Sequence, residues 1–299
     1  MEKTRNKQGF SQRHPLLFGM ILVIMAVALV MGAMAFFRGG SLNMARMGGD
    51  AIGVVYIEGM LLDATPVVDW LEELRRDDDV KGVVLRVDCP GGTVAPSQEI
   101  YREVELVARD KPVVASFATV AASGGYYASS PASSIVANPG SITASIGVRM
   151  EYLTFKDLMD EWGIHQEQLV SGDVKGAGSP FQDLTDEQRA ALMDIVMDLH
   201  EQFVTDVARA RGLDVEQVKR IADGPALTGR QALNAGLVDA LGGLEDAYRM
   251  AKELAGVEGE ARLIEGPVEE RSFIQEVLGE GSLDDIRPLL APRWIFLYH

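Results

Sequence analysis

The stretch "TVAASGGYYAS", residues 119–129, decides how this chain is read. Just before it, residues 113–117 form a short apolar, β-branched run after Pro112, the mark of a buried strand. Small residues then lead into Ser123, Gly124 and Gly125, followed by a pair of tyrosines. This join predicts a strand-to-helix turn where glycine lets the backbone come close to a neighbour. A helix starting there would offer free N–H groups. Two readings of Ser123 are open: a loop serine beside two turn glycines, or a nucleophile held up at the turn. The α/β-hydrolase elbow G-x-S-x-G is not present, because the match is Ala121-Ala122-Ser123-Gly124-Gly125.

Working outward, residues 52–57 and 83–87 read as strands. A helix is expected over about residues 66–76, with Pro66 in its first turn and Val67, Trp70, Leu71 and Leu74 on one face. Pro90-Gly91-Gly92 reads as a turn, and a helix over about 97–108 leads to the strand that delivers Ser123. This alternation predicts an α/β domain with largely parallel pairing. Farther on, 135–137 and 142–148 read as strands and turns, 155–162 as helix, and 165–170 as another strand. A long helix starts at Thr185, which forms a capping box with Gln188; Leu192, Ile195, Val196, Leu199, Phe203 and Val207 make its apolar stripe. His200 sits beside that stripe and reads as a helix-surface histidine.

The chain has 299 residues, 47% apolar and 24% charged, which is the composition of a globular protein with a sizeable core. Its net charge of −16 argues against nucleic acid as a partner, since phosphate binding needs a basic face. Solubility is sufficient reason for the acidity. The one basic stretch is the start, with Lys3, Arg5, Lys7 and Arg13 against Glu2. Residues 16–37 follow without a charge, and as a helix they would be about 33 Å long, enough to cross a bilayer core. Ala33-Met34-Ala35 resembles a signal-peptide cleavage site, but the apolar run exceeds the usual 7–15 residues or so of such peptides, which favours an uncleaved anchor. The positive-inside rule then puts residues 1–13 in the cytoplasm and everything after Arg38 outside it. Gly39, Gly40, Gly48 and Gly49 mark a flexible linker over 38–50. Cys89 is the only cysteine, so no intramolecular disulfide is possible. His14, His165, His200 and His299 are scattered; no metal site and no cofactor is implied.

A nucleophilic serine needs a base, and no histidine has a supporting context; a Ser-Lys arrangement is the other known solution. Lys175 stands in "SGDVKGAGSPF", residues 171–181, whose small neighbours would let a long side chain thread into a buried site. Taken alone, it reads first as an exposed loop lysine. Desolvation would have to lower its pKa from about 10.4 for it to act as a base. Oxyanion donors could come from the Gly91-Gly92 pair in "DCPGG" and from the N–H of Gly124, although Pro-Gly-Gly alone is a turn.

Five segments in order, "RVDCPGG", "ASGGYYAS", "ANPGSITASIGV", "SGDVKGAGSPF" and "LTGRQALNAGLVDALGGLEDA", resemble the bacterial signal peptide peptidase family of membrane-anchored serine proteases. The resemblance spans about residues 50–250. It implies a Clp protease/crotonase-like fold of stacked β-β-α units, preceded here by one N-terminal transmembrane helix. It implies a dyad of Ser123 as nucleophile and Lys175 as general base, with Ser145 orienting the lysine and Gly91, Gly92 and Gly124 in the oxyanion region. It also implies a ring-like homo-oligomer in which serine and lysine can come from different protomers. The expected partners are peptide substrates such as cleaved signal peptides, and the bacterial inner membrane, with the catalytic domain on the periplasmic side. The expected divisions are a basic N-terminus (1–15), anchor (16–37), linker (38–50), protease domain (51–258) and C-terminal extension (259–299).

Two positions depart from the family pattern: Cys89 stands where serine is common and Ala144 where glycine is common. An accessible Cys89 would make the enzyme sensitive to thiol reagents. The tail "APRWIFLYH", residues 291–299, would either pack on the body or lie extended in a peptide groove, its own or a neighbour's. Two rival functions share the features so far: a crotonase-type enzyme acting on coenzyme A thioesters, which would not need Lys175, and a non-catalytic peptide-binding scaffold indifferent to Ser123.

Overall fold

A computed structural model describes residues 49–267 and 296–298, with separate helical positions between Leu16 and Leu29. The anchor expected over 16–37 lies largely outside the described residues. Among the described residues, no helix is long and apolar enough to cross a membrane.

From residue 51 the chain alternates strand and helix: β1 (Ala51–Leu61), α1 (Thr65–Arg76), β2 (Val80–Thr93), α2 (Val94–Asp110), β3 (Val113–Ala122) and α3 (Gly124–Ser129). Three short strands follow, β4 (Ser134–Ala137), β5 (Ile142–Ala144) and β6 (Val148–Met150), then the short helix α4 (Lys156–Glu161) and the long α5 (Asp186–Arg211). The remainder is α6 (Val215–Lys219), β7 (Ala226–Thr228), α7 (Gly229–Asn234), β8 (Ala240–Leu241), α8 (Leu244–Ala255), β9 (Arg262–Gly266) and β10 (Phe296–Tyr298).

The strands form one mixed sheet with a parallel centre: β9, β1, β2, β3, β4 and β8 pair side by side in parallel. Both faces of that centre are covered, which is why β1 to β3 read as continuous apolar runs rather than alternating ones. Val83, Leu85, Val87, Val113, Ala115 and Phe117 face the larger core, beneath α1, α2, α3 and the last third of α5. Ile52, Val84, Val114 and Val136 face the other way, against Ala247 and Ala251 of α8. On α1, Pro sits in the first turn, Val67, Leu71 and Leu74 are buried, and the Trp70 indole N–H donates to Val54 O at 3.0 Å.

The long helix starts as its sequence requires. Thr185 and Gln188 exchange both capping-box bonds, and Gly212 closes the other end at φ 62°. Its apolar stripe, however, is covered over only part of its length. Phe203 and Val207 are buried and Leu199 packs half-buried on the core, whereas Ile195 is 44% exposed and its neighbours Met193 and Met197 are more than half exposed.

Two expected elements differ, residues 90–92 and 165–170, whereas 142–148 are the strands and turns expected. Pro90-Gly91-Gly92 is not a turn: β2 runs straight through it, because Met60 and Leu61 of β1 pair with Gly91 and Gly92. Residues 142–148 are two strands separated by a sharp bend, with Ala144 and Ser145 both at positive φ. Residues 165–170 are not a strand; no backbone edge pairs with them, and Leu169 is 96% exposed.

Past Cys89, β3 turns away from β2 at its Ser123 end. From there β10 takes over the same edge of β2, pairing antiparallel with Gly92 and Thr93, and on its far side antiparallel with all of β6. Residues 296–298 therefore lie extended in a slot between two strand edges.

Candidate active site

Ser123 sits at the corner between β3 and α3 with φ 52° and ψ −117°, a conformation a non-glycine residue holds only under constraint. The constraint is visible on both sides. Its N–H donates to Ala144 O at 2.8 Å, and its carbonyl accepts from the Tyr127 N–H at 2.8 Å. The side chain is fully buried, and Oγ has no hydrogen-bond partner among the described residues. A buried hydroxyl left unpaired costs about 1–3 kcal/mol.

The two glycines after it are required by contact. A β-carbon on Gly125 would stand 2.7 Å from Cys89 O and 3.1 Å from Cys89 Sγ. One on Gly124 would stand 2.6 Å from Ser97 Oγ and 3.1 Å from the Gly92 nitrogen. The end of β2 and the start of α3 thus touch backbone to backbone, which puts Gly91, Gly92 and Gly124 beside Ser123. Gly92 is hemmed in from behind as well, since its own β-carbon would lie 2.2 Å from Leu61 O.

Ser145 follows the residue whose carbonyl holds Ser123. Its hydroxyl donates to Gly224 O at 3.2 Å and its N–H to Pro225 O at 3.1 Å, so within one chain it does not orient Lys175. Ala144 has φ 61°, which supplies the physical reason for glycine at this place in the family pattern.

Lys175 does not join Ser123. It is exposed, in a run of turns whose backbone is pinned from α5: the Gln188 side chain donates to Asp173 O at 2.9 Å. The same helix, 18 residues on, meets the serine's helix, because the Tyr127 hydroxyl donates to the Asp206 carboxylate. The two anchor points are about 27 Å apart along α5. Each chain holds its exposed lysine segment near one end of this rod and its serine helix near the other.

Cys89 lies behind Gly125, fully buried, with Sγ donating to Gly91 O at 3.4 Å. Burial pushes its thiol up to about 11, partly countered by backbone hydrogen bonds. A buried protonated thiol is inert, so thiol sensitivity through an accessible Cys89 is not expected. His200 Nε2 lies 2.8 Å from Ala222 O, to which its ring N–H donates, a packing contact. Sequence reasoning passed over Tyr126, Tyr127 and Asp206. The tyrosine pair after two glycines was the available signal, since large side chains directly behind a bare turn are what can anchor it.

Comparison with known proteins completes the picture. The model of peptidase family S49 matches residues 105–258. A provisionally named protease of Methanocaldococcus jannaschii is 40% identical over 195 residues, covering 65% of this chain and 63% of that protein. A protein of Enterococcus faecium, provisionally named signal peptide peptidase SppA, is 36% identical over 61% of this chain and 54% of its own length. Protease 4 of Salmonella typhi is 36% identical over 217 residues, 69% of this chain but only 35% of that protein. A buried serine at a strained strand-to-helix corner, backed by glycine N–H groups, is the equipment of a serine hydrolase. The chain belongs to peptidase family S49, and its class is that of the serine peptidases.

Proposed function

We propose that this protein is a membrane-anchored serine endopeptidase whose working site pairs Ser123 of one protomer with Lys175 of a neighbour. The observation that carries this reading is the unpartnered, fully buried Ser123 Oγ in a chain whose Lys175 is exposed on a different segment. The first half of α5 supports assembly, since Ile195 of the stripe and Met193 and Met197 on another face are exposed apolar side chains left for other surfaces to cover.

In this mechanism the neutral Lys175 amine takes the Ser123 proton as Oγ attacks the peptide carbonyl. A lysine with the ordinary pKa of about 10.4 is protonated at neutral pH, and burial between protomers is what would lower it. The N–H groups around Gly92 and Gly124 receive the developing oxyanion. The lysine ammonium then returns the proton to the leaving amine as the C–N bond breaks. Water, deprotonated by the same lysine, releases the acyl group from Ser123. Ser145 orients the lysine once the neighbour's segment is in place.

The substrate is an extended peptide. It adds as a strand between the edges of β2 and β6, in the slot that residues 296–298 fill in this chain. Apolar segments such as remnant signal peptides suit this mode, and the basic start and apolar 16–37 run support delivery at the outer face of the inner membrane. The Clp protease/crotonase-like stacking, the ring and the divisions 1–15, 16–37, 38–50, 51–258 and 259–299 belong to the same proposal. The scaffold reading predicts indifference to Ser123, and a thioester enzyme predicts indifference to Lys175.

The test is complementation. Ser123→Ala and Lys175→Ala are each expected to be inactive on an apolar fluorogenic peptide. Refolded together in equal amounts, they should recover roughly a quarter of wild-type activity, because heterologous contacts draw each half-site at random. No recovery from two correctly assembled variants would overturn the shared site. Cleavage by Ser123→Ala would overturn the nucleophile itself.

A further inference from the structure

The corner that carries Ser123 is built from a conformation costing about 1–3 kcal/mol, so something outside it must hold it in place. The two residues after it are glycines and supply no side chain. Ser129 and Ser130 turn their hydroxyls back onto α3 itself, to Gly125 O and Tyr127 O. The polar side chains that tie α3 to other elements are Tyr126, whose hydroxyl donates to Leu237 O at 2.9 Å, and Tyr127, whose hydroxyl donates to Asp206. Tyr127 has the more direct hold, because its own N–H closes the turn on the Ser123 carbonyl. Its ring is fixed between Tyr101 at 5.0 Å and Phe203 at 4.9 Å, so the hydroxyl direction is set by packing.

Asp206 is itself held. Its other carboxylate oxygen accepts from Arg209 at 2.6 Å; the same guanidinium group reaches Tyr101 Oη at 3.3 Å. Tyr101 in turn donates to Asp206 O at 3.3 Å. Two side chains, Tyr127 of α3 and Arg209 of α5, thus converge on one carboxylate at the foot of the nucleophile's helix, while Tyr101 of α2 holds the main-chain carbonyl of the same residue.

We propose that Asp206, acting through the Tyr127 hydroxyl, is a positioning residue that fixes the Ser123 corner in its attacking geometry. The inference rests on the reading of Ser123 as nucleophile. The Tyr127–Asp206 bond ties the far side of the one turn of helix that begins at Ser123 to the most deeply packed part of α5. Without it, α3 keeps its apolar burial but loses the fixed direction of its first turn. A displacement of about 1 Å at a reacting group costs on the order of a hundredfold in rate.

The experiment compares Tyr127→Phe, Asp206→Asn, Tyr101→Phe and Ser123→Ala as full-length assembled protein. It reads kcat and KM on an apolar fluorogenic peptide and, separately, the rate of Ser123 labelling by a fluorophosphonate. Tyr127→Phe is expected to lower kcat and labelling together by about ten- to a hundredfold, with KM within about twofold. Asp206→Asn, which keeps an acceptor for the tyrosine, is expected to retain most of the activity. Tyr101→Phe removes bonds from the same cluster without touching the Tyr127–Asp206 contact, and should cost melting temperature but not kcat. Tyr127→Phe matching Tyr101→Phe in both kcat and melting temperature would overturn the proposal, as would a change confined to KM. If Ser123→Ala is inactive in the same experiment, that failure falls on Asp206 alone; cleavage by Ser123→Ala overturns both readings.

Discussion

Gly124→Ala places one methyl group where the end of β2 meets the start of α3. The new carbon would stand 2.6 Å from Ser97 Oγ, 3.1 Å from the Gly92 nitrogen and 3.4 Å from the Gly91 carbonyl carbon. Comfortable contact between heavy atoms is about 3.5–4.0 Å, so at least two of these must open. Ser97 can rotate away, but it then gives up its bond to Thr93 O at 2.9 Å, a loss of about 1 kcal/mol. Gly92 cannot retreat, because β1 stands directly behind it. The remaining strain, about 1–3 kcal/mol for an overpacked site, falls on α3 and the Ser123 corner. Alanine is a better helix former than glycine by up to about 1 kcal/mol, which offsets part of this. A net loss of about 2 kcal/mol lowers the melting temperature by about 4–8 °C for a body of this size. Activity suffers more than stability, since both proposed oxyanion donors shift: a fall in kcat of about a hundredfold is expected. Thermal melting and peptide turnover on the same purified protein measure both. Wild-type kcat with an unshifted melting curve would refute the tight contact between Gly92 and Gly124.

Three further outcomes are expected. Ala144→Gly relieves a positive φ worth about 1–2 kcal/mol but loses a buried methyl and loosens the unfolded chain, so melting should stay within about 4 °C. Ala144→Val, β-branched at the same φ, should melt well below it; equal melting of the two would show that the bend is unstrained. Deleting residues 296–299 should raise kcat/KM on an extended peptide by lowering KM, as the slot between β2 and β6 opens; an unchanged KM would show that the slot is not where substrate binds. Cys89 in the native chain should resist iodoacetamide at pH 7.5 and react once unfolded in urea. Its folded value of about 11 lies above the ordinary 9.0, so the stability it contributes is present below pH 9 and lost between about pH 9 and 11. Denaturation midpoints across that window should fall more steeply than in Cys89→Ala, and parallel slopes would count against the assignment.

The central strands and α1, α2 and α5 were legible because local signals agreed with burial: unbroken β-branched runs, a first-turn proline, a capping box. Residues 90–92 were misread because Pro-Gly-Gly is turn chemistry on its own, and only the neighbouring strand edges turn it into β2. Residues 165–170 have apolar residues but no partner edge. The serine corner could be found from its small neighbours, whereas Asp206 could not, lying 79 residues from Tyr127 with an ordinary helical context. Lys175 stands out by the small residues around it, yet its distance from Ser123 is set by tertiary packing that no local pattern encodes.

The helix α5 grips the lysine segment at Gln188 and the serine helix at Asp206, and that makes it a ruler. Adding a single residue between those positions would turn one grip by about 100° relative to the other and push it about 1.5 Å along the axis. Substitutions on its exposed face leave the gauge intact, whereas any change in its length miscuts it. If the two half-sites meet between copies, as proposed, the spacing between them is written in the residue count of one helix.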